Sequence, residues 1–222
     1  MSFYDTHILP RVIDCGCGGR AFADQRRRVV PEARGTVLDL GAGTGLNLPF
    51  YDPARVARVI GLDPCARSLE LAAQVKTPVP FEPLVAKGEA IPLPDGSVDT
   101  VVLTYTLCTV DDPAAVLAEV GRVLSSEGRI LFCEHVAAPT RGIGRLQGWI
   151  ARPWAALFGG CRLDRRAGGS LRRAGFRVVA ETLRVPRLPA PVAWQTVGQA
   201  WPLAPGERSD RFPTDAELRL SI

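Results

Sequence analysis

The chain reads Thr36-Val37-Leu38-Asp39-Leu40-Gly41-Ala42-Gly43-Thr44-Gly45 after its first 35 residues. The first five of these residues form a short apolar run, which predicts a buried strand. Glycines at alternate positions follow directly, and glycine allows positive backbone φ angles and a close approach of the backbone to a ligand. The stretch therefore predicts the first strand of an α/β sheet and the ligand-binding turn at its end.

Strands and helices alternate through the rest of the chain. Short apolar runs predict six further strands, the last of them returning antiparallel, at residues 56–62, 81–85, 98–103, 129–134, 176–183 and 192–200. Helical patterns lie between them at residues 66–75 and 113–124 and, with interruptions, at residues 141–171. This alternation is typical of a doubly wound α/β fold, here with a mostly parallel seven-stranded sheet of the Rossmann-like kind.

The pattern divides the chain into three parts. Residues 1–34 are predicted to form an N-terminal helical cap, with one helix from Arg20 to Val30. Residues 35–201 form the main α/β domain, and residues 202–222 are expected to be a loosely ordered tail. A chain of 222 residues suits one domain with small additions.

The composition excludes several classes of protein. The net charge of +4 is dispersed in short arginine clusters rather than gathered in a stripe, so we expect no nucleic-acid partner. The sequence has no run of about 18 apolar residues that could span a membrane. The N-terminus also lacks the basic and then apolar pattern of a secretory signal. We therefore expect a cytoplasmic protein whose cysteines stay reduced.

Two acidic residues flank the predicted ligand-binding turn. Asp63 follows the second strand, where a carboxylate can accept hydrogen bonds from both hydroxyls of a ribose. Asp39 precedes the glycines and would repel a pyrophosphate, and the G-x-G-x-G spacing differs from the G-x-G-x-x-G of dinucleotide sites. Both features favour a cofactor with positive charge and no phosphate, such as S-adenosylmethionine. Weaker alternatives are a nicotinamide-dependent oxidoreductase and a cofactor-binding protein without catalysis.

Three motifs in order resemble those of class I S-adenosylmethionine-dependent methyltransferases. They are the segments 37–45, 88–99 and 122–129. The resemblance implies a cofactor-binding role for residues at the ends of four strands: Gly41, Gly43 and Gly45 for the methionine part, Asp63 for the ribose, Glu89 and Ala90 for the adenine, and Thr104 for the sulfonium.

A closer resemblance links other segments to the methyltransferase-like 7 thiol S-methyltransferases and to related bacterial proteins, some of them described as phospholipid methyltransferases. These segments include residues 107–110, 134–136 and 160–165. The resemblance implies methylation of a small apolar acceptor, with a thiol as first choice and phosphatidylethanolamine as second. The animal members carry an N-terminal membrane anchor that has no counterpart in this sequence. We therefore expect at most a peripheral membrane contact, and no obligate protein partner.

Three further groups of residues are candidates for chemistry. His135 directly follows the fifth strand, and histidine titrates near neutral pH, so we predict that it is the general base; ordering of a loop is the alternative. Cys15 and Cys17 lack a second pair of ligands nearby, so no metal site is expected. Trp149 and Trp154 lie in an apolar stretch, which is a helix packed on the sheet, a lid over an apolar substrate or a patch on a membrane surface.

Overall fold

The computed structural model describes residues 16–203. The helices in this range are α1 (Arg20–Val29), α2 (Ala66–Ala72), α3 (Pro113–Val123), α4 (Arg141–Leu157) and α5 (Ala167–Arg173). The strands are β1 (Gly35–Leu40), β2 (Val56–Asp63), β3 (Phe81–Val85), β4 (Val98–Thr104), β5 (Leu124–His135), β6 (Phe176–Arg184) and β7 (Trp194–Pro202). Short 3-10 turns lie at Val30–Glu32 and Leu48–Phe50.

The strands form a single sheet in the order β3-β2-β1-β4-β5-β7-β6. Strands β1 to β5 pair in parallel, and β7 runs antiparallel to both of its neighbours. The chain moves outward from β1 through β2 to β3 and then crosses back to β4, so the direction of winding reverses between β1 and β4. Ligands bind at such a switch point, beyond the carboxyl ends of the strands. The predicted α/β fold with a mostly parallel seven-stranded sheet is confirmed.

Helices cover both faces of the sheet. Because side chains alternate along a strand, Leu38 and Leu40 of β1 pack on one face and Val37 on the other. The first face carries the buried residues of α3 and α5, including Leu117. The second face carries α1 through Phe22. Strand β1 is therefore buried on both sides, which explains its nearly continuous apolar sequence.

Helix α3 begins where its sequence predicts. The Asp112 carboxylate accepts hydrogen bonds from the backbone N–H groups of Ala114 and Ala115, and Pro113 occupies the first helical position. These contacts satisfy N–H groups that a helix start otherwise leaves unpaired. They also fix the end of the loop that connects β4 to α3, and this loop forms one wall of the site described below.

Several predicted boundaries are wrong. Strand β5 begins at Leu124 instead of Arg129, because Leu124 pairs with Val98 and the register then shifts before Arg129 pairs with Thr100. The turn predicted at residues 127–128 is therefore an irregular part of the strand. Strand β6 begins at Phe176 as predicted and ends one residue later than predicted, and strand β7 is displaced toward the C-terminus by two residues.

Two helical predictions also need correction. Helix α2 ends at Ala72 and not at Val75. The interrupted helical stretch at residues 141–171 is two helices, α4 and α5. The connection between them contains Gly159 and Gly160, which both have positive φ and so break the helix.

Predictions about residues 1–15 and 204–222 fall outside the described residues. They are the prediction of a loosely ordered tail, the metal-ligand role considered for Cys15 and the first part of the predicted N-terminal helical cap. The predicted domain boundaries stay predictions. Within residues 16–203, no helix has the length and apolar character needed to cross a membrane.

Candidate active site

The glycine turn after β1 is held in a conformation that favours glycine. Gly41, Gly43 and Gly45 have φ angles of +74°, +54° and +85°. A Cβ on Gly41 would lie 2.6 Å from Thr106 Oγ1, whereas a Cβ on Gly43 would meet nothing closer than 3.9 Å. The turn is therefore packed against the β4 loop on one side and open at Gly43 on the other.

The open side of the turn borders a cleft of about 820 Å³ at the carboxyl edge of the sheet. The cleft is lined by residues that follow β1, β2, β4 and β5, together with α1 and the loop after α4. Three predicted glycine and acidic positions, Gly41, Gly43 and Asp63, lie in its wall with Glu89, Thr104 and His135. The fold thus brings together residues that are far apart in the sequence, at the place where α/β folds bind ligands.

Asp63 lies beside the glycine turn. Its Oδ2 accepts the N–H of Gly43 at 3.0 Å, and its Oδ1 accepts the N–H of Cys65 at 2.8 Å. Burial raises the pKa of Asp63, and the two backbone N–H groups act in the opposite direction. A carboxylate oxygen has a second lone-pair site, so both oxygens keep acceptor capacity for the hydroxyls of a ribose.

Asp39 is completely buried under the turn. Its Oδ1 accepts a hydrogen bond of 2.8 Å from Asn47 Nδ2, which also lies 2.9 Å from Thr104 Oγ1. Arg26 Nε donates to Asn47 Oδ1 at 3.1 Å. Asn47 therefore links a buried carboxylate to a buried guanidinium. Asn47, Thr104 and Arg26 reach the cleft wall, and Asp39 lies behind them.

The Asp39 carboxylate is only partly compensated. Burial raises its pKa to about 6, and the Asn47 hydrogen bond, the Tyr51 hydroxyl and the nearby charge of Arg26 limit this rise. Its Oδ2 has no hydrogen-bond partner among the described residues. A buried anion with an unsatisfied oxygen fits a site that receives a cation.

Glu89 and Ala90 follow β3, the edge strand beside β2. Glu89 Oε1 accepts the N–H of Asp112 at 3.4 Å and lines the cleft with Lys87. Ala90 is exposed and donates its N–H to the carbonyl of Lys87 at 3.1 Å. Of the two residues predicted to flank the adenine, the structure places Glu89 in the cleft wall, whereas Ala90 is not among the lining residues.

His135 ends β5 and is only 5 % exposed. Its ring packs at centroid distances of 4.9 Å from Tyr105 and 5.6 Å from Phe22. In the part of the chain that is described, its Nε2 has no hydrogen-bond partner. Its Nδ1 lies 4.0 Å from Cys108 Sγ and 3.8 Å from Cys161 Sγ. The predicted base is therefore in the cleft wall, beside two sulfurs.

The two cysteines beside His135 interact with each other. Their Sγ atoms lie 3.7 Å apart, and both residues are buried in the cleft wall. The pKa of Cys108 is raised because its thiol hydrogen-bonds to Cys161 and is buried. The pKa of Cys161 is lowered by the same hydrogen bond and by His135. These shifts favour a neutral Cys108 thiol beside a Cys161 thiolate.

Glu134 holds the loop after β4 in place. Its fully buried carboxylate accepts the N–H groups of Thr106, Leu107 and Cys108 at 2.8, 2.9 and 3.2 Å. Burial raises its pKa to about 7, and the three N–H groups oppose this rise. At the start of the loop, Tyr105 has a φ of +60°, a conformation that is rare outside glycine.

Sequence reasoning missed several of these residues. Arg26 and Tyr105 belong to no motif, and Asn47 and Glu134 lie only in segments of the closer resemblance, residues 45–51 and 134–136, without a predicted role. A partial signal existed for Glu134, because it lies at the end of β5, where functional residues of a parallel sheet collect. No local signal points to Arg26, since α1 reaches the site only through tertiary packing.

The two tryptophans of α4 have different surroundings. Trp149 is 87 % exposed. Trp154 lines the cleft and stacks on Phe158, with a centroid distance of 4.1 Å and an interplanar angle of 23°. The C-terminal part of α4 thus forms an apolar wall of the cleft, and its middle part presents Trp149 to solvent.

The fold and the site together define a Rossmann-like methyltransferase. The turn is open toward the cleft, Asp63 stands beside it and the buried Asp39 carboxylate lies beneath it, which fits a ribose-bearing, positively charged cofactor. A family model described as "Methyltransferase domain" matches residues 38–132.

Relatives with described activities support the same class. The human thiol S-methyltransferase TMT1A is 35% identical over 182 residues, which cover 79% of this chain and 72% of that protein. The phosphatidylethanolamine N-methyltransferase of Cereibacter sphaeroides is 30% identical over 141 residues, covering 60% of this chain and 68% of that protein. The chain therefore belongs to the class I S-adenosylmethionine-dependent methyltransferases.

Solved structures show the same fold. A Thermotoga maritima S-adenosylmethionine-dependent methyltransferase, described as a possible histamine N-methyltransferase, aligns with a TM-score of 0.61 at 23% identity. The alignment covers 88% of this chain and 98% of that one. Membership of the family, shown by the relative TMT1A, makes the protein an enzyme that uses S-adenosylmethionine, and the cofactor supplies an electrophilic methyl group on its sulfonium.

Proposed function

We propose that the protein transfers the methyl group of S-adenosylmethionine to the sulfur of a small apolar thiol in the cytoplasm. The observation that carries the proposal is the division of the cleft into two ends. Asp63 and Glu89 mark the cofactor end. The other end is walled by aromatic rings and sulfur, from Phe22, Trp154 and Cys161.

The charges of the cleft favour a thiol over an amine. The acidic residues in the described cleft wall are Asp63, Glu89 and Asp111, and Glu89 contacts Asp112, the neighbour of Asp111. Asp63 contacts the glycine turn and Glu89 follows β3, so these two carboxylates belong to the cofactor side, whereas Phe22, Trp154 and Phe158 carry no charge. The aromatic end offers burial to an apolar group but no carboxylate to hold an ammonium, which a phosphatidylethanolamine acceptor carries.

The similarity to human TMT1A supports the same choice, because that relative is a thiol S-methyltransferase. Cys108 and Cys161 remain two thiols although their sulfurs lie 3.7 Å apart, and such a pair stays reduced in the cytoplasm. The exposed Trp149 supports a peripheral contact with a membrane, from which an apolar substrate would enter.

The test is incubation with cofactor labelled in its methyl group and three matched acceptors. These are a short alkyl thiol, the alcohol of the same shape and vesicles that contain phosphatidylethanolamine. We expect label in the thioether alone. A Phe158→Ala variant should raise KM for the thiol more than for the cofactor, and Arg67→Ala, an exposed substitution on α2, should change neither. Transfer to the lipid and not to the thiol would support the second candidate, phosphatidylethanolamine N-methylation, which the Cereibacter sphaeroides relative favours.

A further inference from the structure

Three potential metal ligands meet in the wall of the cleft. They are Cys108 Sγ in the loop after β4, His135 Nδ1 at the end of β5 and Cys161 Sγ in the loop after α4. All three side chains are buried, and all three line the cleft. The sequence prediction of no metal site considered Cys15 and Cys17 only, because Cys108, His135 and Cys161 have no recognisable ligand spacing.

The backbone fixes these loops against each other. The N–H of Arg162 donates to the carbonyl of Cys108 at 2.7 Å, directly beside both cysteines. Gly160 has a φ of +84°, and a Cβ there would lie 2.8 Å from the carbonyl oxygen of Thr109. Glu134 holds the N–H of Cys108 from the other side. Backbone contacts therefore hold the loops of Cys108 and Cys161 next to each other, in addition to the contacts of the side chains.

The distances agree with one tetrahedral ion. Bonds of about 2.3 Å to sulfur and about 2.0–2.1 Å to nitrogen place two sulfurs about 3.8 Å apart and a sulfur and a nitrogen about 3.6 Å apart in a tetrahedral zinc site. The observed Sγ–Sγ distance is 3.7 Å, and the two Sγ–Nδ1 distances are 3.8 and 4.0 Å. A shift of the imidazole by a few tenths of an ångström closes the difference.

We propose that Cys108, His135 and Cys161 bind one Zn²⁺ ion whose fourth coordination position opens into the cleft. Two thiolates balance the charge of the ion, and sulfur with imidazole nitrogen is a donor set that zinc prefers. Three protein ligands and one open position are the arrangement of zinc sites that bind a substrate, whereas purely structural zinc sites are closed by four.

The zinc site would explain how the acceptor is activated, and this step rests on the proposed function. A thiol that enters the cleft binds the open position as a thiolate, and its proton leaves to water. The new sulfur–carbon bond forms as the bond between the methyl group and the cofactor sulfur breaks, which leaves S-adenosylhomocysteine and a neutral thioether. The thioether is a weaker zinc ligand and dissociates. His135 then acts as a ligand, and not as the predicted general base.

The experiment measures metal binding without any acceptor, so its result is independent of the proposed function. The full chain is kept reduced, stripped of metal and titrated with Zn²⁺ against a chromophoric chelator. Co²⁺ is used in parallel, because thiolate ligands give it a charge-transfer band in the near ultraviolet. We expect one Zn²⁺ per chain and a cobalt spectrum typical of two thiolates in a tetrahedral site.

Three variants test which residues bind the ion. Cys108→Ser and Cys161→Ser should each weaken zinc binding by roughly tenfold or more and lower the intensity of the thiolate–cobalt band. Cys133→Ser is the matched control, because Cys133 is a buried cysteine of β5 outside the cluster, and its zinc binding should match the wild type. If the cysteine variants fail to fold, the wild-type stoichiometry and cobalt spectrum still decide. Absence of zinc binding by the reduced wild type, or undiminished binding by a folded Cys108→Ser/Cys161→Ser double variant, overturns the proposal.

Discussion

Replacing Asp39 with asparagine should change how the stability of the cofactor-free protein depends on pH. The carboxylate is fully buried, and its folded-state pKa is about 6 against an ordinary value of 3.8. The folded chain therefore binds more protons than the unfolded chain between these two values. The contribution of Asp39 to stability is therefore fully present below the lower value and is lost as the pH rises through the higher one. The groups that face the carboxylate are Arg26 of α1, Asp63 of β2 and Tyr51 after the second 3-10 turn.

The expected size follows from the two pKa values. Their difference corresponds to about 3 kcal/mol of free energy of unfolding, of which about 2 kcal/mol is lost between roughly pH 4.5 and pH 8. For a chain of this length, that loss shifts the melting temperature by roughly 4 to 8 °C. The Asp39→Asn variant lacks the ionisation, so its melting temperature should fall less than that of the wild type over the same range.

The measurement is thermal unfolding of wild type, Asp39→Asn and a control at several pH values. Asp24→Asn is the control, because it removes an exposed carboxylate of α1 that pairs with Arg27. The control should follow the wild-type profile. Calorimetry adds a second readout. The Asp39→Asn substitution should weaken the binding of S-adenosylmethionine more than the binding of S-adenosylhomocysteine, since only S-adenosylmethionine carries the sulfonium charge. Parallel pH profiles for wild type and Asp39→Asn would refute the reasoning.

Four other substitutions test the rest of the site. Asp63→Ala should weaken cofactor binding sharply in calorimetry, because it removes the proposed acceptor of the ribose hydroxyls and the Gly43 N–H contact; unchanged affinity would exclude that role. Gly41→Ala should lower both stability, by about 1 kcal/mol or more, and cofactor affinity, since its Cβ would lie 2.6 Å from Thr106 Oγ1 at a positive φ; wild-type melting and binding would show that the turn can relax. His135→Ala should lower turnover more than cofactor affinity, and an unchanged rate would remove His135 as base or ligand. Glu134→Gln places an amide NH₂ against an N–H donor of the β4 loop and should destabilise the protein by about 1–3 kcal/mol in denaturant unfolding; equal stability would show that the loop does not depend on the carboxylate.

The sequence was sufficient to predict the sheet because its strands are local patterns. Apart from Asp39, the run from Thr36 to Leu40 has apolar residues for both faces, as a parallel strand that is buried on both faces requires. The turn after it has glycine at each position of positive φ, so a local stretch of sequence is enough to predict its geometry. Where geometry depends on pairing with another strand, the sequence was less informative. The start of β5 was missed because residues 124–128 are ordered by their contact with Val98 and not by an apolar pattern of their own.

The same distinction explains which site residues could be predicted. Asp63 and His135 lie at the carboxyl ends of β2 and β5, and the fold class alone predicts that such residues line the cleft. Arg26 and Asn47 reach Asp39 through packing between elements, and their roles depend on distances that no spacing in the sequence encodes.

The buried charges of this site oppose stability and favour binding. Folding places Asp39 out of water with Oδ2 lacking a hydrogen bond among the described residues, and it holds Tyr105 of the cleft wall at a positive φ. Each feature costs free energy in the empty protein, although the Tyr105 ring itself packs in the hydrophobic core. A cation bound above the turn would recover part of the cost at Asp39, because its charge compensates an anion that Asn47 and Arg26 leave incomplete. The strained, half-satisfied network is therefore better explained by selection for a charged cofactor than by selection for stability.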